Sequence, residues 1–118
     1  NLSRSLDQKY NLQNHVRLSF TREHPMQYVA LKDNRLRSII NLEIDIETAT
    51  FQTTLFSNMN ATKNGHKTGN SLYFLKNEIK FNVINASNYN NLEIQDKPYY
   101  QAEIMVEEHI ESKYITNL

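Results

Sequence analysis

The feature that most constrains this chain is an alternation of apolar and polar residues with a period of two. From His15 onward, Val16, Leu18 and Phe20 alternate with Arg17 and Ser19, giving the one apolar and one polar face that a half-buried strand requires. The clearest run sets Ile40, Leu42, Ile44 and Ile46 against Asn41, Glu43, Asp45 and Glu47. Similar reasoning predicts strands over 26–32, 50–56, 71–76, 78–84 and 100–106, with a last one near 113–116. Seven or eight short strands with no convincing amphipathic helix between them predict an all-β fold. The expected form is an antiparallel two-sheet sandwich, transthyretin-like or Ig-like, because one sheet alone would leave an apolar face wet.

The breaks are consistent with that reading. Asp33-Asn34 is a turn pair, 85–91 is a polar connection, and Lys97-Pro98 ends whatever precedes the last long strand. The largest predicted loop, 57–71, holds both glycines, Gly65 and Gly69, and should be exposed and mobile. At 118 residues the chain has room for a single core. We expect a polar tether over 1–14, with Leu2, Leu6 and Tyr10 spaced as a helical stripe in the alternative reading, and a single β-sandwich domain over 15–118.

Thirteen basic residues balance thirteen acidic ones, which removes the electrostatic footprint of a general nucleic-acid binder. The absence of cysteine excludes disulfides, thiol nucleophiles and Cys-type metal sites from this stretch. Three sequons begin at Asn1, Asn60 and Asn85, close to the number that sixteen asparagines produce by chance.

No constellation in the sequence demands chemistry. His15, His24, His66 and His109 are scattered singly, and Glu107, His109 and Glu111 describe a solvated strand surface as well as a cation site, so no metal is assigned. Glu43, Asp45 and Glu47 share a strand face at a spacing that keeps it wet. The glycine-bearing stretch lacks P-loop spacing, so no nucleotide or other cofactor is assigned. Lys32, Arg35 and Arg37 surround one turn, and Arg22 and His24 flank an earlier one, as solvated turns or as a contact patch for an acidic partner or lipid head groups.

The polar start, then -HVRLSFT- and -MQYVALKDN-, in a small cysteine-free β-domain, resembles the outer-membrane lipoprotein of type VI secretion systems in its divergent pathogenicity-island form. Val16 to Thr21 and Val29 to Asp33 carry the likeness. The resemblance implies a transthyretin-like sandwich at the periplasmic face of the outer membrane, tethered by an acylated cysteine upstream of Asn1 and without catalysis. It also implies docking of an inner-membrane partner subunit through the connection that holds Arg22, His24 and Pro25, to which the long loop adds Lys63, His66 and Lys67.

The expected function is therefore a non-catalytic assembly component of a bacterial secretion or envelope complex. It would have a protein partner and a lipid anchor, and neither a nucleic-acid partner nor a small-molecule substrate. The alternative is an extracellular recognition domain, pilin-like, adhesin-like or carbohydrate-binding, with Tyr73, Tyr89, Tyr99 or Tyr100 forming the contact face.

Overall fold

Only two of the alternating segments become long strands, and they pair with each other. In the computed structural model, which describes residues 14–22, 25–34, 38 and 40–118, β1 (His15–Ser19) lies antiparallel to β4 (Glu103–Glu107), with Arg17 opposite Met105 and Ser19 opposite Glu103. Two shorter strands, β2 (Leu55–Ser57) and β3 (Thr68–Gly69), complete one sheet of order β1-β4-β2-β3. Pairing is antiparallel throughout, and β4 is flanked on both sides, with Ser57 opposite Glu103 on its other edge.

The pleat sorts side chains by parity. Ala102, Ile104 and Val106 of the β4 segment face a core shared with Phe56, Ile79 and Ile84, against which Leu18, Phe20, Phe74 and Leu75 pack. The opposite face carries Glu103 and Met105, and there Met105 packs with Ala61 and Leu55 in a second, smaller cluster. The side that alternation assigns to water is thus buried as well.

Helices form where strands were expected. The segment 26–32 is helical, as α1 (Pro25–Lys32), with Pro25 at its first position, where a missing N–H costs nothing. It stops at Asp33-Asn34, where Asn34 takes the left-handed conformation (φ 58°) and its N–H donates to the Leu31 carbonyl. Val29 and Leu31 occupy the supposedly polar positions of that stretch, so its alternation was never complete. The segment 71–76 is α2 (Leu72–Asn77), started by Ser71, whose hydroxyl accepts from the Phe74 N–H at 3.0 Å. The segment 78–84 ends in α3 (Phe81–Ile84), and its buried residues Ile79, Val83 and Ile84 follow helical spacing. A last turn, α4 (Lys97–Tyr100), leads directly into β4.

These elements overturn the two-sheet all-β sandwich: the fold is a small α/β arrangement with one four-stranded antiparallel sheet. The clearest alternating run pairs too briefly to form a strand: the Asp45 N–H donates to the Tyr114 carbonyl at 2.7 Å and the Glu43 carbonyl accepts from the Thr116 N–H at 2.8 Å. It keeps only an isolated Ile44–Ile115 bridge, then turns into a 3-10 helix over Ile46–Thr50, capped by the Asp45 carboxylate on the Glu47 N–H at 2.8 Å. The last predicted strand contributes that bridge and a 3-10 turn, Ser112–Tyr114. The predicted loop 57–71 joins β2 to β3 and packs inward, with Asn58 and Ala61 buried. Gly69 is required there, since a Cβ would lie 2.5 Å from Cδ2 of Phe74. The tether 1–14 lies outside the described residues apart from Asn14, as do His24, Arg35 and Arg37.

Met105→Ala, at a position 0% exposed, is expected to lower the free energy of unfolding by about 3 kcal/mol in a denaturant titration. Ile46→Ala, at 74% exposure, is expected to change it by less than about 0.5 kcal/mol, the reverse of what alternation alone assigns.

Candidate active site

A carboxylate on the central strand organises the polar face. Glu103 opens β4, is 8% exposed, and sits between Ser19 of β1 and Ser57 of β2 in the ladder. Arg17, two residues before Ser19, therefore points the same way and reaches Glu103 with two nitrogens. Its Nη2 donates to Oε1 at 2.9 Å and to Oε2 at 3.0 Å, and its Nε lies 3.2 Å from both oxygens. The Ala61 N–H donates to Oε2 at 2.8 Å from a third direction. Charge-assisted, forked bonds of this kind fix direction as well as distance.

The turn after β2 locks the pair in place. Asn60 Oδ1 accepts from Arg17 Nη2 at 2.8 Å, from the Thr62 N–H at 3.0 Å and from the Thr62 hydroxyl at 2.7 Å. The buried Ser57 hydroxyl donates to the Met59 carbonyl, and Asn58 Oδ1 accepts from the Lys67 N–H. Side chains and backbone amides thus hold one acidic group in a sheltered, oriented position. Such a group can stabilise positive charge developing on a substrate.

Two hollows adjoin the cluster. A cleft of about 520 Å³ runs beside β1, with Arg17, Ser19, Arg22, Glu43 and Asp45 among its walls and Leu18, Ile44 and Ile104 as its apolar part. A groove of about 510 Å³ is lined by Asn60, Thr62, Lys63, Tyr89, Lys97 and Gln101 among others. Arg17 belongs to the first and its hydrogen-bond partner Asn60 to the second, so the carboxylate's support separates them.

The residues expected to dock a partner are spread over separate elements. Arg22 is exposed at the cleft, 3.7 Å from Glu43, and Pro25 starts α1. His24 lies outside the described residues. Lys63 lines the groove, His66 Nδ1 is 2.8 Å from the Lys63 carbonyl, and Lys67 lies 3.9 Å from Glu78 at the end of α2. Of the four tyrosines, Tyr73 is exposed, Tyr100 is buried, and Tyr89 packs on Tyr100 at 5.2 Å, so they form no common face. Among the described residues no group of three or more His, Asp or Glu gathers as a metal site. Lys113, fully exposed, has its pKa raised first by Tyr114 and then by Glu111, with no part in the cluster.

Sequence reasoning missed Glu103, Arg17 and Asn60. The available signal was Met105, an apolar residue on the side of the 100–106 alternation assigned to water, two positions from Glu103. An acid that shares a face with a buried methionine is itself sheltered, and needs a partner.

An oriented carboxylate on a central strand, held by side chains that line two hollows, is the kind of group that transfer chemistry uses. The family model for DarT, described as an ssDNA thymidine ADP-ribosyltransferase, matches residues 1–118, and the chain belongs to this family. Two solved structures share the fold, both of Thermus sp. 2.9 DarT. The complex with carba-NAD+ superposes with a TM-score of 0.68 at 16% identity, and the complex with NAD+ with 0.67 at 17%. Each likeness covers 88% of this chain but only 56% and 55% of the respective relative, so the chain spans a little over half their length. No curated protein sequence matches it.

The match along the whole chain overturns the resemblance to a type VI secretion lipoprotein, which rested on two short strand-like stretches. It equally overturns the non-catalytic assembly role and the recognition-domain alternative, because the family is one of enzymes. The exclusion of nucleic acid and of a small-molecule substrate falls too: the family description names single-stranded DNA, and the solved relatives are complexes with NAD+ and its analogue.

Replacing Arg17 with Met strands a carboxylate that is only 11% exposed in its side chain, and is expected to lower stability by roughly 3 kcal/mol. The double variant Arg17→Met with Glu103→Leu is expected to recover most of that loss, as read by denaturant unfolding of the three proteins.

Proposed function

We propose that this chain carries the reacting carboxylate of an enzyme that transfers ADP-ribose from NAD+ to thymidine in single-stranded DNA. Membership of the DarT family supports the reaction class, and the observation that carries the reading onto particular atoms is the clamped Glu103 carboxylate. The transfer breaks the bond between nicotinamide nitrogen and ribose C1′. Nicotinamide leaves with the bonding electrons, C1′ becomes electron-poor, and an atom of the thymidine supplies the new electron pair and releases its proton. A fixed negative charge beside C1′ lowers that barrier, as in glycosidic bond cleavage generally.

The residues present fit such a substrate. The cleft beside β1 sets the Arg17 and Arg22 guanidiniums, whose geometry suits diphosphate oxygens, beside the Glu43 and Asp45 carboxylates, with Arg22 3.7 Å from Glu43, and an apolar wall of Leu18, Ile44 and Ile104. Its volume of about 520 Å³ falls within the range of small-molecule sites. Arg17 would then serve two ends, orienting Glu103 and presenting positive charge toward the cleft. The ladder neighbours Ser19 and Ser57 and the Ala61 amide keep the carboxylate on a rigid strand rather than a loop.

Incubating the protein with NAD+ and a thymidine-containing oligonucleotide is expected to add one ADP-ribosyl group to the oligonucleotide, read by mass spectrometry. Glu103→Gln keeps the shape and removes the charge, and is expected to slow transfer on the order of a hundredfold. Wild-type rates in that variant, with an unchanged melting temperature in both proteins, would remove Glu103 from the reaction.

A further inference from the structure

The loop between β2 and β3 is tied down at its base and open at its tip. At the base the Asn58 N–H donates to the Lys67 carbonyl at 3.1 Å, and the Lys67 N–H returns a bond to Asn58 Oδ1 at 2.8 Å, so the β2–β3 ladder continues past Ser57 and Thr68. Further out, the Ala61 N–H meets the Glu103 carboxylate and the Lys63 N–H donates to the Asn60 carbonyl at 2.8 Å. The tip is a β-turn over 63–66, closed by the His66 N–H on the Lys63 carbonyl at 3.2 Å. Its central residues are Asn64 and Gly65, both exposed. Gly65 has a φ of 86°, the value that a type II turn asks of its third residue and that glycine adopts without strain.

An asparagine followed by glycine is open to attack by its own backbone. The nitrogen of the following residue closes a five-membered ring on the side-chain Cγ, and glycine brings no Cβ to stand in the way. Among the sixteen asparagines of the chain, only Asn64 precedes a glycine. The fold leaves this reaction unobstructed in three ways. Both residues face solvent, which supplies water. The Gly65 N–H, whose nitrogen must attack, donates to no group among the described residues. Apart from its chain neighbours, no heavy atom lies within 4 Å of the place that a Gly65 Cβ would take, so the peptide plane between the two residues has room to rotate. The other asparagines of this loop are held by their side chains, Asn58 by the Lys67 N–H and Asn60 by Arg17 and Thr62.

We propose that Asn64-Gly65 is a site of spontaneous deamidation through which the β2–β3 loop ages. The Gly65 amide nitrogen gives up its proton and bonds to Cγ of Asn64, the bond from Cγ to the side-chain nitrogen breaks, and ammonia leaves behind a succinimide. Water then opens the ring at one of its two carbonyl carbons. Opening at Cγ gives aspartate, and opening at the main-chain carbonyl carbon of residue 64 gives isoaspartate. No oxidant or cofactor is consumed. Either product sets a carboxylate between Lys63 and His66. Isoaspartate also lengthens the main chain by a methylene, at the tip of the loop whose Ala61 amide orients Glu103. The inference is independent of the transfer reaction.

The test is incubation of the folded protein in mildly alkaline buffer, followed by peptide mapping with mass spectrometry and by enzymatic methylation of isoaspartate. The peptide holding Asn64 is expected to gain the mass difference between amide and acid at least about tenfold faster than any other asparagine peptide, since each of those has a Cβ on the following residue. Asn64→Gln, which would have to close a larger ring, is expected to abolish the conversion there. The isoaspartyl form is expected to melt below fresh protein, and Asn64→Asp, which adds the charge without lengthening the chain, to melt with it. An Asn64 peptide that stays unchanged in the folded protein overturns the proposal, and its conversion in urea would then show that the turn protects the bond. Faster conversion at another asparagine of the folded protein overturns it as well. An isoaspartyl form that melts with fresh protein would overturn the effect on the loop.

Discussion

A carboxylate at the start of a central strand has to be paired before the sheet around it can close. Glu103 has a strand on each side and a turn above it, and it is tolerated there because Arg17 and the Ala61 amide meet its oxygens from neighbouring segments. This requirement ties three distant stretches of the chain together. β1 must keep the register that places Arg17 opposite Met105, and the turn after β2 must bring Asn60 and Ala61 over the sheet. β4 must enter the sheet straight from the α4 turn. A one-residue slip of β1 would send Arg17 to the apolar face and leave the acid unpaired.

The two faces of the sheet are consequently unlike. One is an ordinary apolar core, capped by α2 and α3 and continued by Phe20, whose ring meets Phe81 edge to face at 5.7 Å. The other combines a small apolar patch around Met105 with the Arg17–Glu103–Asn60 network. The first face makes the strands rigid, and the second uses that rigidity to hold one charge in a set direction. Each hollow beside the network is lined by one of the side chains in it, Arg17 in one and Asn60 in the other.

The sequence misled most where its alternation was strongest. Ile40, Leu42 and Ile46 are 85%, 53% and 74% exposed, and the run pairs only around Ile44, where Glu43 and Asp45 make backbone hydrogen bonds with Thr116 and Tyr114. A period of two describes an extended segment, but extension becomes a sheet only if another segment is there to take up the hydrogen bonds. Where alternation was incomplete, as in 26–32 with Val29 and Leu31, or 71–76 with its run Leu72 to Leu75, helix signals decided the outcome. Pro25 and Asn34 bound one helix, and Ser71 starts the other. Those signals were legible and were outweighed by the pattern.

By itself the sequence determined the edges of these elements and the strand character of 15–19 and 103–107, because alternation, prolines and capping side chains act through neighbouring backbone alone. It also carried Glu103 in plain view, in -QAEIMV-, without indicating what surrounds it. Only the tertiary structure decided that Glu103 is sheltered rather than solvated. Its partners are 86 and 42 residues away along the chain, and a buried charge is defined by what surrounds it in space, which no local periodicity encodes.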